Sequence, residues 1–362
     1  MLTELLFFIS FFLVVGYITI FLLIYKFGSK MPQVKRDEEY TPLVSIVIPT
    51  LNEKEIIEKR IENLIDTDYP KNRLDVVFVD DSTDNTPDII KKYQKRYPFI
   101  RLLKQKKPGF NNALNQGYSA SKGEIVIKSD CTALPRPDAL RKLVSNFADS
   151  RIGAACGIHT FSDNEKSLER EFKGFEYKIQ QVEAYFHSSL ISHGAFGAYR
   201  KTLIPKLRPE LTSDDSEVIV NVVKQGYRAI IDPRVKCVEN APERFRERRR
   251  QKDRRAGGVI RVILSNLNMF FNRQYGMFGF ITLPLEFFIL VITPVLLFLL
   301  FILSMCYVVT NPMSYVSILI LLFFGLVFVS IKLSAKIRAI FDTYLSCFLG
   351  LFQAFTKKKK WK

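Results

Sequence analysis

Cysteine is scarce in this sequence of 362 residues, which contains five. The five are widely scattered and form no CxxC pair: Cys131, Cys156, Cys237, Cys306 and Cys347. This spacing argues against a disulfide framework and against a zinc site built on paired cysteines, because both bring thiols together in recognisable patterns. The sequence therefore predicts reduced cytosolic thiols.

Acidic residues are outnumbered, with 36 Asp and Glu against 53 Lys and Arg, which gives a net charge of +17. Nucleic-acid binding is the usual explanation for such a basic protein. Here, however, many basic residues flank apolar segments, where they would face anionic lipid. The charge therefore predicts an anionic membrane lipid as a partner and gives no reason to expect nucleic acid.

Long apolar runs are missing from the middle of the chain, a stretch of roughly 200 residues with an ordinary globular composition. They lie at the two ends instead, at 5–27, 287–309 and 315–333. A run of about 20 such residues crosses a bilayer. No basic residue precedes the first run and no small-residue cleavage site follows it, which disfavours a signal peptide. The sequence predicts a transmembrane anchor at 1–30 and two spans within 281–337.

The flanking charges predict how these spans are oriented. The turn "TNPMS" between the last two spans is uncharged, whereas Lys332, Lys336 and Arg338 follow the last one. The positive-inside rule then places the middle of the chain and the basic tail in the cytoplasm, with the amino terminus and the turn outside. We therefore expect a multi-pass protein of the cell membrane with a cytoplasmic domain at 40–240.

The segment 339–355 is apolar but short, and it contains Asp342 and Gln353. A third full crossing by this segment would send the four lysines of "TKKKKWK" outside. We therefore interpret 338–362 as a helix lying in the membrane interface, followed by a basic tail.

The middle of the chain alternates between buried strands and amphipathic helices. Strand-like runs are "PLVSIVIPT", "LDVVFVDDS", "FIRLLKQ" and "GEIVIKSD", and helix-like stretches are "NEKEIIEKRIENLID", "TPDIIKKYQKRY" and "NNALNQGYSAS". Runs that are apolar throughout indicate strands covered on both faces. The alternation predicts an α/β fold with a parallel sheet and helices on both sides.

Polar side chains follow three of the predicted strands where those strands end. They are Thr50, Asn52 and Glu53, then Asp80, Asp81 and Ser82, then Asp130. In sheets of this kind ligands bind at the carboxyl ends of the strands. Acidic groups gathered at one edge would repel each other unless a cation or the donor groups of a nucleotide lay between them. The pattern predicts such a site.

Six motifs in order resemble the membrane-bound family 2 glycosyltransferases, the group that includes cellulose, hyaluronan and poly-N-acetylglucosamine synthases. The motifs are "VSIVIPTLNE", "VVFVDDSTDNT", "KKPGFNNALNQG", "GEIVIKSDCT", "SHGAFGAYR" and "LTSDDSEVIVNVVKQGYRAIIDP". The resemblance covers about residues 43 to 260. It implies the GT-A fold, which is the fold of nucleotide-diphospho-sugar transferases.

The resemblance implies a nucleotide pocket at the first two strand ends. Asp80 or Asp81 would accept a hydrogen bond from an N–H of the base, and Pro49, Thr50 and Glu53 would line the same pocket. A structural alternative for this loop is a turn in which Asp84 caps the helix that begins at Thr86.

The motif "SDCT" departs from the family pattern D-x-D, whose two aspartates hold a divalent cation against the diphosphate. Aligned without gaps, Asp130 is the first aspartate and Thr132 replaces the second; shifted by one, Ser129 replaces the first. Three outcomes stay open: Asp130 holds Mg²⁺ or Mn²⁺ with phosphate and water, another residue completes the set, or Lys106 and Lys107 neutralise the diphosphate without metal.

Lys106 and Lys107 precede a predicted helix, and a cation and a helix N-terminus both stabilise anions. The alternative for these lysines is solvated surface charge.

The segment "TSDDSE" has a structural alternative, since Asp214 and Glu217 have capping-box spacing. The resemblance implies that Asp215 is the general base that takes a proton from an acceptor hydroxyl.

The basic region 241–280 resembles the part of the family that carries the Q-x-x-R-W motif. Gln251 and Arg254 match, but Arg255 stands in place of tryptophan, which weakens the case for a processive polymerase. A polybasic face on the membrane is the alternative, and 256–271 is predicted as an interfacial helix. His193 lies in the acceptor-side segment and is a candidate acceptor contact.

The expected function is transfer of one sugar, with inversion, from a nucleotide diphosphate donor to a membrane-held acceptor such as a polyprenyl-linked glycan or a glycolipid. A UDP-sugar is the favoured donor. The alternatives are a processive polysaccharide synthase, a polyprenyl-phosphate glycosyltransferase, or a catalytically lapsed GT-A subunit that only binds nucleotide sugar.

Overall fold

The computed structural model of the protein describes residues 2–160, 168–191, 194–209, 214–239 and 245–355. The strands are β1 (Val44–Thr50), β2 (Leu74–Asp80), β3 (Ile100–Lys104), β4 (Ile125–Ser129), β5 (Ala133–Pro135), β6 (Ile152–Thr160), β7 (Phe196–Arg200) and β8 (Arg228–Glu239). The helices are α1 (Leu2–Phe27), α2 (Ile57–Ile65), α3 (Thr86–Arg96), α4 (Phe110–Ala120), α5 (Ala139–Ser145), α6 (Leu168–Phe186), α7 (Asp214–Lys224), α8 (Phe245–Leu264), α9 (Leu283–Phe287), α10 (Thr293–Thr310), α11 (Tyr315–Leu333) and α12 (Ala335–Phe355).

The strands form one sheet in the order β3-β2-β1-β4-β7-β6-β8-β5. The first four are parallel, as the sequence predicts. Strand β7 is antiparallel to β4 and β6, and β5 is antiparallel to β8, so the whole sheet is mixed. Because β1, β2 and β4 are parallel, their carboxyl ends meet at one edge, and the predicted site residues Thr50, Asp80 and Asp130 lie there.

Strands β1 and β2 are buried on both faces because their sequences are apolar at successive positions. Alternate residues point to opposite sides, so Ile46 and Ile48 pack in one hydrophobic cluster and Val47 packs in the other. Full burial of each such side chain contributes about 1.5–3 kcal/mol. Helix α4 approaches the second face closely, since a Cβ at Gly117 would lie 2.2 Å from Cγ1 of Val47.

Three helical stretches of the described residues are long and apolar enough to cross a membrane: Glu4–Phe27, Phe278–Thr310 and Tyr315–Leu333. The second is continuous from Phe278, earlier than the sequence predicts, and includes two π-helical turns, Phe278–Thr282 and Phe288–Ile292. Each π-turn directly precedes a helix with proline in its first turn. A wide turn accommodates a proline, which has no N–H to donate to the preceding turn.

Helix α1 packs against both the second span and α6. A Cβ at Gly16 would lie 2.2 Å from Cζ of Phe288, so glycine allows this close approach. At the end of α1, the Phe27 ring lies 5.2 Å from the Tyr185 ring and 4.8 Å from the Phe186 ring. The first span is therefore attached to the helix that leads back into the sheet domain.

Helices α8 and α12 run parallel in close contact. Asp342 of α12 forms ion pairs with Arg249 and with Lys252 of α8, the latter with an N–O distance of 3.0 Å. Eight residues further on, a Cβ at Gly350 would lie 2.9 Å from the amide nitrogen of Gly257. The charged residue inside the apolar segment 339–355 is thus paired with the basic helix.

The prediction of one helix over 256–271 is wrong in its second half. Helix α8 ends at Leu264, and short 3₁₀ turns follow at Leu267–Met269 and Arg273–Tyr275. Between them Phe271 has a φ of +52°. A right-handed helix cannot include a residue in that region of backbone space.

Candidate active site

Asp80 ends β2 and organises the edge of the sheet. Its side chain is buried, with 5% of the residue exposed. Its Oδ1 accepts hydrogen bonds from the hydroxyls of Thr50, at 2.7 Å, and Ser82, at 2.6 Å. Its Oδ2 accepts from the backbone N–H of Ser82 at 3.2 Å. The ends of β1 and β2 are joined by these bonds into one surface.

The loop after β1 is fixed to the loop after β2 at Asn52. Asn52 has a φ of +57°, a conformation that asparagine adopts more readily than most residues. Its N–H donates to Oγ of Ser82 at 2.8 Å, and its Oδ1 accepts from the N–H of Thr83 at 2.9 Å. Pro49, which pairs with Val79 in the sheet, is half-buried beneath this turn.

Asp80 and Asp81, which sequence alone does not distinguish, differ in the structure. Asp80 is buried and bonded to neighbouring hydroxyls. Asp81 is exposed, and its backbone N–H donates to the carbonyl of Thr50 at 3.1 Å. The exposed carboxylate is therefore the one that a ligand reaches without breaking a side-chain bond of the loop.

Glu53 lies in the loop after β1 and is bonded to the start of α3. Its N–H donates to Oγ1 of Thr86 at 2.9 Å, and Asp84 accepts from the N–H of Thr86, also at 2.9 Å. Asp84 thus forms the suggested turn with Thr86, while Asn85 is the N-cap residue of α3 and makes no side-chain capping bond. Burial raises the pKa of Glu53, and the charges of Asp130 and Asp84 raise it further. This edge of the sheet has a negative potential.

Asp130 follows β4 directly. Its N–H donates to the carbonyl of Ala195 at 3.2 Å, and its own carbonyl accepts from the N–H of Ala133 at 3.2 Å. These backbone bonds fix the turn that contains Cys131 and Thr132. Thr132, which stands in place of the second aspartate of the family motif in the alignment without gaps, is half-buried.

A buried arginine lies behind this turn. Arg60 of α2 is fully buried and donates from Nη2 to Oγ of Ser129 at 2.8 Å and from Nη1 to Oδ1 of Asn63 at 2.7 Å. Burial lowers the pKa of Arg60 to about 10, and the neighbouring Cys237, Cys131 and Asp130 oppose that shift. A fixed positive charge therefore supports the turn from inside the protein.

The residues at the turn fit a divalent cation that is coordinated mainly by a bound diphosphate and only in part by protein side chains. Among the described residues no group of three or more His, Cys, Asp or Glu side chains could hold a metal by itself. The charge of Asp130 does, however, reach Glu53, whose pKa it raises, so a cation at Asp130 would relieve repulsion. Asp130 would be the protein ligand, with diphosphate oxygens supplying others.

Lys106 and Lys107 lie on the exposed loop between β3 and α4. The N–H of Lys106 donates to Oε1 of Gln116 at 2.9 Å, and the carbonyl of Lys107 accepts from Nε2 of Gln105 at 2.6 Å. The loop conformation is thus fixed through its backbone, and both side chains reach solvent. Their diphosphate role stays a prediction.

Asp215 lies in the first turn of α7, and its carboxylate is bonded across the cleft. Nζ of Lys128 lies 3.0 Å from both Oδ1 and Oδ2 of Asp215, and the hydroxyl of Tyr199 donates to Oδ1 at 3.0 Å. Glu217 is paired instead with Arg208 at 2.9 Å. Lys128 is on β4 and precedes Asp130 by two residues, so the predicted base is bonded to the strand that leads to the predicted metal ligand.

Three predicted acceptor-side residues are less fully described. His193 lies outside the described residues. Gln251 and Arg254 both lie on α8, where the backbone of Gln251 is described without its side chain and Arg254 is half-buried. Arg255, in place of the family tryptophan, is exposed. Their roles stay predictions.

Lys128, Tyr199 and Arg60 are site residues that the sequence reasoning missed. Lys128 did carry a signal, since a lysine interrupts the otherwise apolar run of β4, and a strand covered on both faces rarely includes one. Its partner Asp215 is 87 residues away in the sequence. Without the fold, that separation hides the pair.

Comparison with known proteins identifies the domain. Residues 45–208 match the family model described as Glycosyl transferase family 2. The probable glycosyltransferase YdaM of Bacillus subtilis is 29% identical over 260 residues, which cover 68% of this chain and 62% of that protein. A dolichyl N-acetyl-alpha-D-glucosaminyl phosphate 3-beta-D-2,3-diacetamido-2,3-dideoxy-beta-D-glucuronosyltransferase of Methanococcus voltae is 25% identical, covering 53% of this chain and 65% of that one. The chain thus spans less than two thirds of each relative.

The solved structure of mannosyltransferase PcManGT from Pyrobaculum calidifontis, in complex with GDP-Man and Mn2+, shares the fold. The two superpose with a TM-score of 0.82 at 23% identity, covering 99% of this chain and 100% of that one. At this identity the likeness shows the fold, including the helices at both ends. The family resemblance and the GT-A-like fold class, both predicted from the sequence, are confirmed.

Proposed function

Residues 45–208 form a Glycosyl transferase family 2 domain, and from that premise we propose that the protein transfers a sugar from a nucleotide diphosphate donor to a hydroxyl of a membrane-held acceptor. The transfer is a single in-line displacement that inverts the anomeric carbon. Asp215 is the general base, and the favoured acceptor is a polyprenyl-linked glycan or a glycolipid.

One observation carries this proposal. Asp215 comes from α7, on the acceptor side of the resemblance, yet its carboxylate lies 3.0 Å from the ammonium of Lys128 on β4. Asp130 directly follows the same strand. A base and a diphosphate site are therefore adjacent, which is what in-line attack of a hydroxyl on the anomeric carbon requires.

The donor side supports a nucleotide diphosphate sugar, with UDP favoured. Asp81 presents an exposed carboxylate to the N–H of the base, while Asp80, Thr50 and Pro49 shape the pocket. A divalent cation held by Asp130 would neutralise charge as the nucleoside diphosphate leaves. Lys106 and Lys107 stand on an adjacent loop where their ammonium groups would attract the same diphosphate.

The acceptor is proposed to be membrane-held because the described chain includes three helices able to cross a membrane. The basic residues beside them favour a multi-pass protein with the domain on the cytoplasmic face against anionic lipid. A phosphate acceptor would need no base, since it is already anionic. The ion-paired Asp215 on the acceptor side therefore favours a hydroxyl.

The test is sugar transfer by purified protein in lipid, measured as nucleoside diphosphate release with a panel of UDP- and GDP-sugars and native lipid extract. Asp215→Asn should lower transfer by about a thousandfold while donor affinity stays within about threefold. Glu217→Gln, two residues along the same helix, is the matched control and should retain most of the activity.

Other outcomes would point elsewhere. Full activity of Asp215→Asn would indicate a phosphate acceptor. Products that lengthen without release would indicate a processive synthase, despite the exposed Arg255 in place of tryptophan. Donor binding without turnover in any lipid would indicate a catalytically lapsed subunit.

A further inference from the structure

Lys128 is a charged residue inside a buried strand. It follows Ile125, Val126 and Ile127 on β4, and its side chain is 5% exposed. Lysine is almost never buried to this extent unless its charge is paired. A valine or isoleucine here would continue the apolar run without any desolvation cost. Packing alone therefore does not explain a lysine at this position.

The ammonium of Lys128 contacts a carboxylate and an aromatic ring among the described residues. Nζ lies 3.0 Å from each carboxylate oxygen of Asp215, whose side chain is 17% exposed. It also lies 5.2 Å from the centroid of the Phe110 ring, at the start of α4, within the range of a cation–π contact. The hydroxyl of Tyr199 donates to the same carboxylate. Two strands of the sheet, β4 and β7, thus supply donors to the carboxylate of Asp215.

The backbone at Gly194 lies directly against this pair. A Cβ placed at Gly194 would lie 1.9 Å from Oδ2 of Asp215 and 2.7 Å from Nζ of Lys128. A glycine is therefore needed at 194 for the two side chains to meet as they do. The pair has little room to rearrange while this segment stays in place.

We propose that Lys128 is a positioning residue for the transfer reaction, which acts by holding the carboxylate of Asp215 in a fixed orientation towards the acceptor hydroxyl. Tyr199 has the same role with one neutral hydrogen bond. This inference rests on the proposed function, in which Asp215 takes the proton. A buried ion pair is weak support for stability, because desolvation of the two charges offsets most of their attraction. Orientation of a reacting group is the benefit that remains.

Lys128 has a second conceivable role, which the experiment separates. An ammonium two residues before Asp130 could bind the donor diphosphate itself. In that case its loss would weaken donor binding. A residue that acts through Asp215 would instead lower kcat and leave donor affinity unchanged.

The experiment measures kcat and donor KM for Lys128→Met, Lys128→Arg, Asp215→Asn and the double variant Lys128→Met/Asp215→Asn. Lys128→Met keeps the length of the side chain and removes the charge, and it should lower kcat by about thirtyfold to a hundredfold with donor KM within about twofold. Lys128→Arg keeps the charge and should recover a part of the lost kcat. In the Asp215→Asn background, Lys128→Met should lower kcat by less than about twofold, because residues that act as a unit are not additive.

Two further variants guard against misfolding. Lys122→Met removes a charge from an exposed position just before β4 and should leave kcat unchanged. Tyr199→Phe removes one hydrogen bond to the carboxylate without changing the charge, and it should lower kcat by about threefold, again only when Asp215 is present. If Lys128→Met does not fold, the Tyr199→Phe cycle still tests whether bonds to Asp215 set kcat.

The inference is overturned if the losses from Lys128→Met and Asp215→Asn multiply, or if donor KM rises tenfold with kcat unchanged. Neither result touches the proposed function, which fails separately if Asp215→Asn alone is as active as the unaltered protein.

Discussion

Two regions of the molecule hold carboxylates by opposite means. In the cleft, Asp80 accepts hydrogen bonds from hydroxyls and a backbone N–H, and Asp215 faces an ammonium. At the junction of α6 with the second span, Glu183 and Glu286 are 0% and 2% exposed, and Oε2 of Glu183 accepts from the N–H of Leu190 at 3.3 Å. A buried carboxyl group beside another carboxyl group is stabilised in its protonated form.

The difference lies in what surrounds each carboxyl group. Hydroxyl, backbone N–H and ammonium donors surround Asp80 and Asp215 in the cleft. At the junction, burial raises the pKa of Glu183 well above its usual value, and the charge of Glu286 adds to the effect. The contrast is therefore between cleft carboxylates that face donor groups and a junction carboxyl that is buried beside another carboxyl group.

Of the substitutions that test this comparison, the largest effect is expected from the removal of Asp130, which we propose binds the cation. Asp130→Ala should lower nucleoside diphosphate release by about a hundredfold or more, because developing negative charge on the leaving group loses its stabilisation. The measurement compares magnesium, manganese and chelator for both proteins. Thr132→Val is the matched control and should cost less than about tenfold.

Turnover that survives chelator would contradict the prediction that the reaction needs a cation at Asp130. The role would then move to Lys106 and Lys107, and the doubly substituted Lys106→Ala/Lys107→Ala protein should lose the activity that Asp130→Ala keeps.

A second effect separates two neighbours within the cleft. Asp81→Asn should weaken donor binding by about tenfold through loss of a charged hydrogen-bond acceptor, with the free energy of unfolding unchanged. Asp80→Asn should lower the free energy of unfolding by about 1–3 kcal/mol, since the amide keeps one oxygen to accept from the hydroxyls of Thr50 and Ser82 but places an NH2 donor where Oδ2 accepts from the N–H of Ser82. Calorimetric titration and thermal unfolding measure the two quantities.

If Asp81→Asn binds donor normally while Asp80→Asn does not, the base contact belongs to the buried residue. The hydroxyl network would then be a device for orienting that contact.

The sequence predicts the local structure well because the relevant patterns are local. The apolar runs of β1 and β2 and the helical spacing of Ile57, Ile61 and Leu64 depend on neighbours only. The strand order β4-β7-β6-β8 depends on contacts between distant segments, so the sequence indicates a parallel sheet and the structure adds three antiparallel pairings.

The candidate site divides in the same way. Asp80, Asp81 and Asp130 could be predicted from the sequence, because ligands bind at the carboxyl ends of parallel strands. The partners that fix Asp215 could not be found, since Lys128 and Tyr199 meet it only in the folded sheet. The pairing of Glu183 with Glu286 is hidden for the same reason, because nothing near either residue in the sequence indicates the other.

A smaller effect tests the junction. We expect the free energy of unfolding to fall as the pH rises from 5 to 8. Glu183→Gln should make that fall smaller. The raised pKa means that folded Glu183 keeps its proton over a range where the unfolded chain releases it, so stability falls as pH rises through that range. Glutamine cannot ionise and should be more stable by about 1–2 kcal/mol at pH 8, with turnover unchanged.

The matched control is Glu55→Gln, at a side chain that is 86% exposed, where the pH dependence should not change. If Glu183→Gln lowers stability at every pH, the junction needs a negative charge, and the contrast with the cleft disappears.

The smallest effect concerns Glu53, the cleft residue that most resembles the junction. Burial raises the pKa of Glu53, and the charges of Asp130 and Asp84 add to it. The ligand-free protein is therefore destabilised as pH rises and Glu53 ionises. Glu53→Gln should raise the unfolding midpoint by about 1–2 °C at pH 7.5 and leave it unchanged near pH 4.

The same substitution should weaken Mn²⁺ binding by about threefold, because one negative charge beside Asp130 is gone. Titration of metal together with thermal unfolding measures both effects in one sample. A charge that costs stability without ligand and strengthens cation binding is what a ligand site should contain. If Glu53→Gln instead lowers stability and leaves metal affinity unchanged, Glu53 is a packing residue of the turn, and the negative potential at this edge has no part in holding a cation.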